Sequence, residues 1–207
     1  APPGANVTLQ YSSTENVEEE WTAHDSVVIS GARDGSSFSN RFNWHEFQYV
    51  TVKSTGLSGP PDLSKIEGLR TRNARPRVGW FESADSMLNK VYNAHVETIE
   101  GLQQSGMLVD CPNRERFGYG GDSNSHVEFV MYTYASSPLF EKWTRDWADV
   151  SGQAPQDTQP AAGLPDGNVP NSAPTFDGDG GPAWGALCVL MPYRHYLVTG
   201  DLSGLRS

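Results

Sequence analysis

Asp110-Cys111-Pro112-Asn113-Arg114-Glu115-Arg116-Phe117-Gly118-Tyr119-Gly120-Gly121-Asp122 is the stretch on which the reading of this chain turns. Its 13 residues hold three acids and two arginines, broken four times by glycine or proline. Breaks at that density predict a loop. Carboxylates and guanidinium groups crowded into one loop can pair with one another and do nothing more. They can also serve chemistry. Cleaving a glycosidic bond needs a proton donor beside the leaving oxygen and a second carboxylate near the anomeric carbon. Such a donor must hold its proton near neutral pH, which burial or a neighbouring carboxylate favours. Arg114 and Arg116 flank Glu115 and would favour its ionised form if they lay close. Adjacent residues often point apart, so both readings stay open at this level.

Outward from the run, the pattern is helical on both sides. Upstream, Leu88, Val91, Tyr92, His95, Val96, Ile99 and Leu102 fall at helical spacing, with Ser83 as N-cap and Gly106 just beyond the end. Downstream, helices are predicted over 123–134 and 138–150. The latter has proline at its start and an apolar stripe of Phe140, Trp143, Trp147 and Val150. Residues 151–181 are rich in Gly, Pro, Asp and Asn and read as a long loop, a feature that is often functional. A fourth helix is predicted from Pro182 to Val198, closed by Gly200. It is apolar on most sides (Trp184, Leu187, Val189, Leu190, Met191, Tyr193, Tyr196, Leu197) and so expects cover from several neighbours.

The first third reads differently. Val7, Leu9 and Tyr11 alternate, as do Val27 and Ile29. Phe42, Trp44, Phe47, Tyr49, Val50 and Val52 make an aromatic and β-branched run whose phase shift between Trp44 and Phe47 fits a bulge. Turns are supplied by Gly31, Gly35 and residues 56–61. This spacing predicts part of an antiparallel sandwich. The boundary with the helical module falls between Leu69 and Val78, giving a β module over 1–74 and a helical module over 75–207. The helical pattern stops at Ser207 with its last helix still in need of neighbours, so the sequence reads as a fragment.

Composition narrows the function. The 207 residues carry a net charge of −10, which repels phosphate backbones and argues against nucleic acid. No apolar run reaches the roughly 20 residues of a membrane span. Cys111 and Cys188 give no disulfide framework or metal knuckle and are read as two reduced thiols. His24, His45, His95, His126 and His195 show no ligand spacing. Asp177-Gly178-Asp179-Gly180-Gly181 resembles half a calcium loop but lacks its closing Glu, and reads as a solvated turn. Glu18-Glu19-Glu20 reads as a charged edge. Arg70, Arg72, Arg75 and Arg77 read as a basic linker that salt-bridges to the acidic body. Asn6-Val7-Thr8 is a glycosylation sequon, which with the absence of an initial Met leaves a secreted or periplasmic expectation.

The central run is similar to the signature of glycoside hydrolase family 78, the α-L-rhamnosidases: Asp-Cys-Pro-x-Arg, then the catalytic acid, then Gly-aromatic and Gly-Asp. Residues 42–50 resemble the last strand of the β-sandwich before that family's catalytic barrel. Val78-Gly79-Trp80-Phe81-Glu82-Ser83 with Leu88-Asn89-Lys90 resembles the barrel's first helix. Asp166-Gly167-Asn168-Val169-Pro170, Ala183-Trp184-Gly185 and Thr199-Gly200-Asp201 match later landmarks. The resemblance covers nearly the whole chain and implies the C-terminal part of a β-sandwich followed by the first helices of an (α/α)6 barrel.

It also implies roles. Glu115 would be the general acid. Asp110 and Asp122 would accept hydrogen bonds from rhamnose hydroxyls, since a carboxylate can take two. Arg114 would bind a hydroxyl or orient the carboxylates. Tyr119 stands where many relatives have Trp and would form an altered sugar platform. Trp184 would pack on the 6-methyl group, and Asp166 is a further candidate for the same pocket. Some relatives carry an extra acidic residue between the Arg and the catalytic Glu; here Glu115 follows Arg114 directly. No cofactor or metal is implied. The family inverts configuration, so a general base is expected about 6.5–9.5 Å from the acid. In relatives it is a Glu far downstream, outside this chain. The implied partners are a rhamnosylated small-molecule glycoside or polysaccharide and the remainder of the same enzyme as a second polypeptide. The chain alone is expected to be inactive. Two alternatives are a lyase or unsaturated-uronyl hydrolase on the same barrel, and a sugar-binding remnant without catalysis.

Overall fold

Three short runs of alternating residues pair into a sheet in the computed structural model, which describes residues 2–16, 23–30, 37–151 and 169–206. The strands are β1 (Asn6–Ser12), β2 (Ala23–Val28) and β3 (Tyr49–Thr55), all antiparallel, with β1 in the middle. The register sets Leu9 opposite Asp25 and Val52, and Thr8 opposite Ser26, where the two hydroxyls meet at 2.8 Å. Asn6, the sequon residue, lies in this central strand with Oδ1 buried and unpartnered among the described residues.

The expected strand through 42–47 with its bulge is absent. Pairing begins at Tyr49, and Phe42 is 98% exposed. Polar chemistry explains the loop. Asn40 and Asn43 donate to the Asp25 carboxylate at 2.5 and 2.8 Å, and His45 Nε2 approaches it at 2.8 Å. The His45 ring stacks on Tyr11 at 4.2 Å. Three side chains converging on one carboxylate hold the backbone away from the ladder. Burial pushes Asp25 up, but the bonds from Asn40, Asn43 and His45 together outweigh it and hold the carboxyl below its usual range. Burial and then the charge of Asp25 push the Tyr11 phenol up to about 12.

The chain's contacts divide into two compact units: Ala1–Thr71 with Pro112–Arg114, and Arg72–Cys111 with Glu115–Ser207. In the second unit the elements run α1 (Ser86–Leu102), β4 (Gln103–Gln104), β5 (Met107–Leu108), α2 (Gly120–Thr133), α3 (Ser137–Val150), α4 (Gly181–Trp184) and α5 (Leu187–Thr199). The first helix begins later than predicted. Asp85, not Ser83, is the cap, its carboxylate accepting from the Met87 amide at 2.7 Å. Ser83 instead fixes the approach, exchanging two hydrogen bonds with the Asn89 side chain at 2.9 and 2.8 Å. Replacing Asp85 with Ala leaves an amide uncapped and is expected to cost about 1 kcal/mol; the urea unfolding midpoint reads this directly.

Gly106 does not end α1. It forms, with Ser105, the tip of the β4–β5 hairpin, both at positive φ (76° and 52°). Two left-handed residues are what a two-residue hairpin turn requires. The predicted fourth helix is broken into α4 and α5 across Gly185 and Ala186. α5 closes as expected on Gly200, at φ 75°, whose amide bonds to the Tyr196 carbonyl at 2.7 Å.

α5 packs against α2 and α3. The stripe of α3 faces inward as its spacing predicts: Phe140, Trp143, Trp147 and Val150 are all buried. Leu187 and Met191 meet this core, and His195 is tied to Ser137 Oγ at 2.9 Å. The outer face of α5 keeps Val189, Tyr193 and Leu197 exposed, and α1 keeps Met87, Leu88 and Val91 exposed. No helix among the described residues is long and apolar enough to cross a membrane.

The arginine run is less uniform than a salt-bridged linker. Arg72 does pair with Glu100. Arg77 donates to Tyr92 Oη at 2.8 Å and lies over the Trp80 and Tyr92 rings. Arg75 has all three guanidinium nitrogens buried without a hydrogen-bond partner among the described residues, and burial lowers its pKa to about 10. Glu18–Glu20 and Asp166 lie outside the described residues.

Candidate active site

Residues 110–119 of the run form a loop, and its shape is set by bonds between Asp110 and Phe117. The Asp110 amide donates to the Phe117 carbonyl at 3.0 Å, and the Phe117 amide returns a bond to Asp110 Oδ1 at 3.0 Å. Arg116 turns the corner at φ 59°, a left-handed conformation that costs a non-glycine residue about 1–3 kcal/mol and clusters at functional sites. The turn brings Glu115 back beside Asp110. Between them lies Cys111, whose thiol donates to Asp110 Oδ2 at 2.8 Å and to Glu115 Oε2 at 3.2 Å.

From Phe117 the chain runs extended through Tyr119 into α2, on whose first turn Asp122 sits. Glycine here serves close approach. A Cβ on Gly120 would strike the Trp184 carbonyl, and a Cβ on Gly121 would lie 2.6–2.8 Å from the Trp184 indole. Trp184 is therefore laid across the start of α2, with 42% of its surface still exposed. Backbone bonds stitch residues 118–120 to residues 171–173: the Gly120 amide to the Asn171 carbonyl at 2.9 Å and the Ala173 amide to the Gly118 carbonyl at 3.2 Å.

Tyr119 is held from the same segment. Its hydroxyl donates to Asp177 Oδ2 at 2.5 Å. Burial, then Asp177, then the charges of Asp110 and Glu115 push the phenol well above its ordinary value of 10.0. Tyr119 is thus a neutral phenol within the field of three carboxyl groups. Replacing Asp177 with Asn removes one of those anions, and the Tyr119 titration seen by ultraviolet difference absorbance is expected to move to lower pH; an unmoved midpoint would disconnect the pair.

The structure therefore brings together Asp110, Glu115 and Tyr119, with Trp184 over Gly121 and Asp122 on the adjoining helix turn. Arg114 clusters by its contacts with the first unit. Two members were not singled out from sequence. Cys111 is read from sequence only as a reduced thiol, with no place in the site. Asp177 was read as part of a solvated turn; it is exposed, yet it anchors Tyr119 from 58 residues away, and nothing local to it signals that. Its neighbour Asp179 accepts from the Gly181 amide at 2.8 Å, just ahead of α4.

The ligand atoms of Asp110, Cys111 and Glu115 lie within 4.8 Å of one another. Burial and then the neighbouring Asp110 and Glu115 carboxylates push this thiol strongly up, so that without a cation beside it Cys111 keeps its proton. His95 and His126 approach with ring centroids 5.4 Å apart, against Phe129. Burial, then the charge of His95, lowers the His126 pKa, which suits a neutral packed ring.

Residues 76–207 match the model of the bacterial α-L-rhamnosidase 6-hairpin glycosidase domain. An α-L-rhamnosidase of Formosa agariphila is 27% identical over 172 residues, covering 80% of this chain and 17% of the relative. One from an Alteromonas species is 25% identical, covering 96% of this chain and 21% of the relative. The crystal structure of Streptomyces avermitilis α-L-rhamnosidase complexed with L-rhamnose superposes with a TM-score of 0.77 at 27% identity, over 100% of this chain and 20% of that one. The α-L-rhamnosidase from Dictyoglumus thermophilum shares the fold, with a TM-score of 0.76 at 20% identity over 99% of this chain and 23% of that one. The chain spans about a fifth of the length of the curated relatives it matches. Through that match over residues 76–207, the chain belongs to the bacterial α-L-rhamnosidase family, within its 6-hairpin glycosidase domain.

Proposed function

We propose that this chain carries the acid half of the active site of an inverting α-L-rhamnosidase, which removes terminal rhamnose from a plant glycoside or a rhamnose-bearing polysaccharide. The observation that carries the reading is the convergence of Asp110, Glu115 and Tyr119 around one loop corner, in a chain of this family. Glu115 gives its proton to the leaving oxygen as the glycosidic bond breaks. Asp110 and Asp122 accept from the sugar hydroxyls, and Arg114 and Asp166 are further candidate sugar ligands on the family resemblance. Trp184 offers its exposed indole to the 6-methyl edge, which is the least polar part of rhamnose.

Inversion needs a base that activates water on the opposite face. In this reading a carboxylate outside residues 1–207 supplies it. The helices here are the first of an (α/α)6 barrel, and the sheet is the last part of a preceding β-sandwich. The exposed apolar faces of α1 and α5 support that reading, because helices so patterned are covered by neighbours.

The test is release of the aryl alcohol from an aryl α-L-rhamnoside, with the polypeptides sized on a denaturing gel and the product anomer followed by NMR. We expect β-L-rhamnose as first product from the complete enzyme, and none from residues 1–207 alone. α-L-rhamnose as first product, or turnover by the isolated chain, would overturn the division of acid and base.

A further inference from the structure

The proposed chemistry uses Asp110 and Glu115 but leaves unassigned the group lying between them. Cys111 carries a single S–H, and two carboxylate oxygens lie within its reach, Asp110 Oδ2 at 2.8 Å and Glu115 Oε2 at 3.2 Å. A thiol has one proton to give and a sulfur that accepts only weakly. It can therefore serve one of these oxygens at a time. Asp110 does not depend on it: its other oxygen already takes the Phe117 amide at 3.0 Å. The choice of partner is left to the charge on Glu115. While Glu115 holds its proton, the stronger acceptor is the Asp110 carboxylate. Once that proton has gone to a leaving oxygen, Glu115 becomes an anion and competes for the S–H.

We propose that Cys111 is a positioning residue for the general acid: its S–H bonds to Asp110 while Glu115 is protonated and swings to Glu115 as that side chain becomes a carboxylate, fixing the carboxylate in place. No bond to sulfur forms or breaks, and the thiol keeps its proton throughout. The raised thiol pKa agrees, burial being its first cause and the two carboxylates the next, because a thiolate here would repel both groups it is meant to hold. The inference rests on the reading of Glu115 as the acid.

Two measurements test it. In the complete enzyme, Cys111→Ala removes the donor, and a hydrogen bond to a charged group lost at this point is expected to lower kcat about tenfold, with KM close to wild type. An anion deprived of a donor is less favoured, so the alkaline limb of the kcat/KM profile moves to higher pH. Cys111→Ser restores a donor and is expected to bring the limb back and recover part of kcat. A side chain that only fills space would leave the limb in place and would not be rescued by serine; that result overturns the proposal.

The second measurement needs no turnover. With Cys188 replaced by Ala, the rate of alkylation by iodoacetamide against pH reports Cys111 alone. Glu115→Gln and Asp110→Asn are each expected to move thiolate formation to lower pH. If neither moves it, the thiol does not feel the carboxylates and the proposal falls. If both move it while the complete enzyme releases no rhamnose, the hydrolase reading has failed and the positioning role falls with it.

Discussion

Glu115→Gln in the complete enzyme is expected to lower kcat on an alkyl α-L-rhamnoside by about 10²–10⁴-fold, the range that a positioned proton donor contributes, while L-rhamnose binding stays near wild type. Gln keeps the length and the hydrogen-bonding shape of Glu but has no proton to give. The loss is therefore expected to depend on the leaving group. A nitrophenolate leaves well without protonation, whereas an alkoxide does not, so the deficit grows with the basicity of the departing oxygen. Glu115 lies at the exposed mouth of its loop, beside Cys111 and Asp110, where a glycosidic oxygen can reach it. A deficit of equal size on all leaving groups would assign Glu115 to binding or structure instead. Loss of rhamnose affinity in step with kcat would say the same.

Trp143→Ala is expected to lower the unfolding free energy by about 3–5 kcal/mol, the usual cost of removing a buried aromatic ring. Trp143 is 0% exposed, and its indole N–H donates to the Ala173 carbonyl at 2.9 Å. The ring thus serves two levels of structure. It fills the core that α3 shares with α5, and it ties down the segment that pairs with Gly118, just before Tyr119. Trp143→Phe keeps most of the ring and loses the tie, and should cost about 1–3 kcal/mol for the carbonyl left unsatisfied. Urea unfolding of the two variants separates packing from anchoring. A loss under about 1 kcal/mol for Trp143→Ala would mean that the site can collapse around the gap, contrary to the packing described.

Period and spacing carried much of this architecture, and where they failed the cause was polar chemistry. The α3 stripe was readable because four large apolar residues repeat on one face, and all four are buried. The start of α1 was misread because Ser83 and Asp85 are both good caps. What decides between them is the exchange between Ser83 and Asn89, six residues on. The aromatic run over 42–47 has strand-forming residues, yet Asn40, Asn43 and His45 fold toward Asp25 and take the segment out of the ladder. The two sides of that network lie 15 to 20 residues apart, beyond the reach of a local periodicity. The fourth helix breaks at a glycine-alanine pair that periodicity passes over.

The site divides the same way. Asp110, Glu115 and Asp122 stand in one run, so local spacing exposes them. The anchor of Tyr119 does not: Asp177 comes from a distant turn whose own composition reads as solvated. The glycines of the run were legible as loop breakers, but their purpose was not. Gly120 and Gly121 are small because Trp184 lies against them, and only the folded chain puts the two together.

The most direct measurement is a crystal structure of the complete Glu115→Gln enzyme with a bound α-L-rhamnoside. The account predicts the rhamnosyl ring between Asp110 and Asp122, its methyl edge on Trp184, and the glycosidic oxygen within hydrogen-bonding distance of residue 115. A rhamnosyl ring bound away from the 110–122 loop, or a glycosidic oxygen facing a different acid, would contradict it.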